Sequence, residues 1–170
     1  MVETLRRSGE PEPVAQAEAA APVPHDLIEL LFFAYRDFVS DPDRILADYG
    51  FGRAHHRVLH FVQRRPGMTI AELLDILKIT KQSLNRVLKE LVEKGYIELR
   101  TGRQDKRQRH LHTTASGQDL ALRLVQLQSR RILRALDSVG PETAGTVARY
   151  LTALIDPPEQ ANVRGLLTRP

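Results

Sequence analysis

The chain has 170 residues, and its 25 Lys and Arg outweigh 21 Asp and Glu to leave a net charge of +4. An apolar share of 42% suffices for one core, and no apolar run reaches the ~18 residues of a membrane span. With no cysteine, disulfides, thiolate metal sites and cysteine redox sensing are excluded.

Residues 1–23 are rich in Ala, Glu and Pro, too poor in apolar area to offset chain entropy, and are expected to be a disordered tail. Arg6 and Arg7 are not followed by an apolar segment, so no secretory signal is expected and the cytoplasm is the expected location. Asp26 reads as the cap of a first helix over about 26–40, apolar on nearly every face, from Leu27 through Phe32 and Phe33 to Val39. Such a helix must be covered on most faces, which points to a dimer interface, with a central helix of a larger monomeric core as the alternative. Asp41-Pro42 reads as the start of a separate short helix that ends before Gly50. A further helix runs from about Arg53 to Arg65, with Val58, Leu59 and Val62 as its core face, and Pro66-Gly67 breaks it.

The stretch from Thr69 to Thr114 carries the most information. Thr69 and Glu72 form a capping box for a short helix ending near Leu77. Lys78-Ile79-Thr80 has the length of a helix-turn-helix turn, and Thr80 caps a second helix over about Lys81–Lys94. In that helix Leu84, Val87, Leu88, Leu91 and Val92 share one side, while Gln82, Asn85, Arg86, Lys89 and Glu93 share the other. An ordinary solvated face would show the same pattern. Gly95, however, stops the helix, and two strands follow, Tyr96–Arg100 and Arg107–Thr113, joined by a turn over 101–105. A helix-turn-helix with such a hairpin is a winged helix. From Lys78 to His110 ten Lys and Arg face four acids, an excess of six in a chain of net +4, as binding to a polyanion requires.

After Thr114, which reads as a cap, a helical stripe continues for ~25 residues, about 37 Å, to Val139, ended by Gly140-Pro141. A last helix is expected over Glu142–Ile155, and residues 157–170 are expected to be a loose end. The fold class is therefore mainly α with a small β-hairpin wing. A winged helix-turn-helix lobe over about 53–114 is flanked by dimerisation helices over about 26–40 and 115–156.

Three runs, Ile79–Val87, Leu91…Ile97 and Asp105-Lys106-Arg107…Thr113-Thr114-Ala115-Ser116-Gly117, resemble the MarR family of bacterial winged-helix transcriptional regulators over roughly residues 25–156. The family's wing pattern is Asp-x-Arg, a short strand, then Leu-Thr-x-x-Gly, and Thr113 stands here in place of the leucine. Where the family reads Leu-Thr-x-x-Gln, this chain has Phe51-Gly52-Arg53-Ala54-His55. The resemblance implies a homodimer on a pseudo-palindromic double-stranded DNA operator, most plainly a repressor relieved by a small ligand. Gln82, Asn85 and Arg86 are the candidates for base edges, because Gln and Asn pair with adenine and Arg with guanine. Lys81, Ser83 and Lys89 are candidates for phosphate contacts. In the wing, Arg107 matches the family arginine, Asp105 braces the loop beside Lys106, and Arg103 near the tip would enter the minor groove.

The resemblance also implies an effector cleft for small aromatic anions, with Phe33, Tyr35, Arg36, His55, His56 and His60 as candidate walls; the alternative is that these aromatics fill the dimer core. His56 and His60 lie one turn apart, but the further ligands zinc needs are missing from that helix, so no metal is expected. His110 and His112 are expected to face solvent. No G-x-S-x-G, P-loop, dinucleotide turn or H-E-x-x-H is present, so neither enzyme nor cofactor is expected. A winged protein-interaction module and a sequence-indifferent architectural DNA binder are the rival readings.

Overall fold

The computed structural model describes residues 24–102 and 108–168. The expected tail over 1–23 and the wing residues Arg103, Asp105, Lys106 and Arg107 lie outside the described residues. The elements are α1 (His25–Asp48), α2 (Arg53–Arg64), β1 (Met68–Thr69), α3 (Ile70–Leu77), α4 (Lys81–Glu93), β2 (Ile97–Thr101), β3 (Arg109–Thr113), α5 (Ala115–Val139), a 3-10 turn (Pro141–Thr143), α6 (Ala144–Ala153) and α7 (Pro157–Thr168).

α1 corrects the expectation of two helices. It is continuous, with Pro42 inside it. Proline removes one hydrogen bond and crowds the preceding turn, which normally ends a helix. Here Pro42 is buried with Val39 and Leu46, and the neighbouring Asp41 carboxylate accepts from Arg131 of α5 at 2.9 Å. Tertiary packing overrides the local break. Asp26 is not the cap either: it lies in the first turn, and Pro24 precedes the helix without a side-chain cap.

The cap of α2 explains the departure at Gly52. The Gly52 N–H donates to His55 Nδ1 at 3.1 Å, so a histidine at the third position reaches back where the family pattern has glutamine. The α3 capping box is as expected, with Thr69 N–H donating to Glu72 Oε2 at 2.7 Å and Glu72 N–H to Thr69 Oγ1 at 3.2 Å. Thr80 caps α4 by accepting from Ser83 N–H. Gly95, at φ +74°, ends it with Gly95 N–H on Val92 O and Tyr96 N–H on Leu91 O, the paired bonds of a Schellman turn.

The sheet has three antiparallel strands in the order β1-β3-β2, so the hairpin gains a short third strand that the sequence did not disclose. Met68 pairs with Leu111, and Leu99 pairs with Leu111 from the other side. Around this sheet, α2, α3, α4 and the first half of α5 bury one core that includes Leu59, Leu73, Leu84, Leu91, Leu111 and Leu124. Thr113 is buried where leucine is usual in the family pattern, and its hydroxyl donates to Gln63 Oε1 at 2.6 Å. That bond satisfies a group otherwise costly to bury.

The chain end is a second correction. Residues 157–168 form helix α7 rather than a loose end, and Pro157-Pro158 occupy its opening, where a missing N–H costs nothing. The preceding helix is also shorter than expected, since Pro141–Thr143 is a 3-10 turn.

Thr114 caps α5 and donates to Gly95 O at 2.6 Å, while Gly117 in its first turn lies against Tyr96: a Cβ at Gly117 would sit 2.0 Å from the Tyr96 carbonyl oxygen. Gly117→Ala should therefore destabilise the fold by about 1–3 kcal/mol through overpacking against rigid backbone. Gly165→Ala in α7, where a Cβ meets open space, should not. Equilibrium denaturant unfolding distinguishes the two.

Candidate nucleic-acid interface

α4 is held by its apolar side. Leu84, Val87, Leu88 and Leu91 are buried, which turns Lys81, Gln82, Ser83, Asn85, Arg86 and Lys89 to solvent on one exposed face. Gln82, Asn85 and Arg86 have no side-chain hydrogen bond or ion pair among the described residues. Ser83 is partly engaged, since its hydroxyl accepts from Thr80 Oγ1 at 2.9 Å. Lys89 lies 3.7 Å from Glu93 one turn on, an exposed pair easily given up to a phosphate.

The wing strands rise beside this face, and the hairpin is closed by Gly102 N–H on Gln108 O at 3.0 Å. Arg100 and Arg109 are exposed on the two strands and pair in register with His110 and Thr101. In the sequence both arginines add only to the local charge; the register places them on the two wing strands. Lys78, in the turn between α3 and α4, is exposed as well.

The six candidate effector residues do not converge on one cavity within the chain. Phe33, Tyr35 and Arg36 are exposed on α1, where Arg36 stacks over Phe33 at 5.0 Å and pairs with Asp37. His55 turns the other way. It stacks on Phe51 at 4.7 Å, and its Nε2 lies 2.9 Å from Glu90 of α4. With Nδ1 accepting from Gly52, the Nε2–H tautomer donates to Glu90, and both ring nitrogens are used in joining α2 to α4. His56 is buried and His60 half-buried; burial lowers the pKa of each below the usual histidine value. Among the described residues, no cluster of three or more His, Cys, Asp or Glu is placed to hold a metal ion.

His110 and His112 depart from expectation. Both are half-buried rather than solvent-facing: His110 Nδ1–H donates to Gly67 O at 2.6 Å, and the His112 ring closes over the same glycine. The third strand brings the Pro66-Gly67 turn onto them.

Comparison with known proteins places these features. A model of the MarR family matches residues 49–108. The HTH-type transcriptional regulator PetP of Rhodobacter capsulatus is 48% identical over 130 residues, which cover 76% of this chain and 78% of that protein. Among solved structures, Streptococcus pneumoniae FabT in complex with DNA superposes with a TM-score of 0.68 at 20% identity, over 76% of this chain and 93% of that one. The reduced form of MarR from E. coli gives 0.60 at 20% identity, over 80% and 98%. At those identities the structures speak for the fold.

The buried histidines have a pH consequence. Because burial lowers the folded pKa of His56 and His60, the unfolded chain binds more protons than the folded one as pH falls through about 6.5. Stability should therefore be fully present above that value and decline below it. Melting curves from pH 8 to pH 5 check this, and His56→Gln should flatten the decline.

Proposed function

The chain belongs to the MarR family, and on that premise we propose that it is a homodimeric regulator of transcription that reads a pseudo-palindromic duplex. The observation that carries this is the outward face of α4, where Gln82, Asn85 and Arg86 stand free beside the basic wing. In the proposed complex these three meet base edges in the major groove, and Lys81, Ser83 and Lys89 hold phosphates. The wing, with Arg103, Lys106 and Arg107 near its tip and Asp105 as their brace, follows the backbone toward the minor groove.

A second copy is supported by the surface that one chain leaves open. Leu30 is 61% and Phe32 68% exposed on α1, and Leu133 of α5, Leu151 of α6 and Leu154 just after it are also exposed. Exposed apolar area on this scale on the terminal helices marks an interface. The dimer sets two α4 helices one turn of DNA, ~10 bp, apart. We further propose repression relieved by a small aromatic anion, held where the Phe33, Tyr35 and Arg36 face of α1 meets the second copy. His56 and His60 of α2 belong to the proposed set, and His55 is its weakest member because both its nitrogens are occupied.

Selection from a random duplex pool, followed by titration of the selected site, tests the DNA reading. Two chains should bind per site; one chain per site counts against the dimer. Arg86→Ala should cost about 1–3 kcal/mol on the selected site and relax its preference. Lys89→Ala should weaken all duplexes nearly equally and lower the salt slope by about one unit. A wild type with no preference for the selected site would favour the architectural binder, and one that retards no duplex would favour the interaction module. For the effector, an aromatic carboxylate should release the duplex and raise the melting temperature, with both effects lost in Arg36→Ala. Inactivity of a panel of such acids at millimolar concentration would remove this effector class.

A further inference from the structure

α7 contacts α6 and also extends beyond the terminal helices. It reaches the helix-turn-helix lobe, where Glu159 Oε1 lies 3.3 Å from Lys78 Nζ and the Arg65 guanidinium donates to the Leu166 carbonyl. A cleft of about 670 Å³, walled in part by Met68, Ile76, Ala161 and Leu166, separates α7 from β1 and α3. α7 has no buried residue. A helix attached by polar contacts and lacking buried side chains belongs to the low-stability end of a fold, where it can leave without unfolding the rest.

Lys78 makes that attachment consequential. It is the only non-glycine residue at positive φ among the described residues, at +50°, and it turns the chain from α3 into α4. Its side chain is about half exposed, three positions before the first residue of the outward α4 face. Asp75 Oδ1 accepts from its ammonium at 2.7 Å, which anchors it locally, and among the described residues Glu159 is the one partner that comes from another part of the chain.

We propose that α7 is an intramolecular competitor of DNA: Glu159 holds the Lys78 ammonium that would otherwise face a backbone phosphate, so α7 docking and duplex binding oppose each other. The inference rests on the DNA-binding reading above. A duplex offers a dense line of negative charge to Lys78 and repels the Glu159 carboxylate placed beside it. Linkage then works in both directions: whatever detaches α7 tightens DNA binding, and DNA detaches α7 by the same factor. Because the pair is exposed, the coupling is modest and sensitive to salt.

A double-mutant cycle on the full chain tests this. Wild type, Glu159→Gln, Lys78→Asn and the double variant are compared by fluorescence anisotropy on the wild-type-selected duplex at ~50 and ~200 mM salt. Asparagine is chosen at position 78 because it tolerates positive φ. Glu159→Gln should bind about two- to fivefold tighter at the lower salt, with a smaller gain at the higher. In the Lys78→Asn background the gain should vanish. An unchanged affinity of Glu159→Gln overturns the competition. So does an equal gain with and without Lys78, which would mean only that an acid had been removed near DNA. A wild type that binds no duplex fails the DNA-binding reading instead, so the two failures are distinguishable.

Discussion

Everything in this molecule passes through one junction of backbone and a glycine. Where α4 ends, Gly95 and Tyr96 present two carbonyls to the start of α5. Thr114 takes both, donating its hydroxyl to Gly95 O and its N–H to Tyr96 O, while Gly117 allows the first turn of α5 to press on the Tyr96 carbonyl. The end of the outward-facing helix, the first wing strand and the long strut are thereby joined as one body. A shift of α5 therefore pulls on the end of α4 through these two hydrogen bonds. The Thr-x-x-Gly pattern is the chemical record of that contact: threonine for the bonds, glycine for the approach.

The burial of α4 follows from the same economy of contact. Four aliphatic side chains enter a core shared with α2, α3 and the sheet, and on the polar side Gln82, Asn85 and Arg86 take no part in holding the helix. His55 adds a polar tie from α2 to Glu90, between the two faces. This division is what frees Gln82, Asn85 and Arg86 for a partner outside the chain. By contrast α1 ends in the core at Val39 and Leu46 but begins as an apolar rod in solvent. The chain is complete around its sheet and incomplete at its terminal helices, which is the physical basis for assigning the second copy to that end.

Much of this was legible in the residues, and the reason is local. Caps such as Thr69, Thr80 and Thr114, and stops such as Gly95, act within one helical turn. The apolar stripe of α4 needs only the helical period to be read. The turn, the hairpin and the length of α5 therefore followed from spacing alone, and so did the direction in which the polar face points.

Where only the tertiary structure could decide, the deciding partner lay far along the chain. Pro42 reads as a break until Arg131 on α5 and the surrounding core hold α1 continuous across it. His110 reads as exposed until the Gly67 carbonyl arrives in the turn before a third strand of two residues, too short to announce itself. His55 reads as a ligand residue until Gly52 and Glu90 take its two nitrogens. Residues 157–168 read as a loose end until Glu159 and Leu166 find Lys78 and Arg65 on the lobe. Local propensity sets what a segment prefers within a turn or a strand; contacts between distant segments set what it does when those preferences are weak.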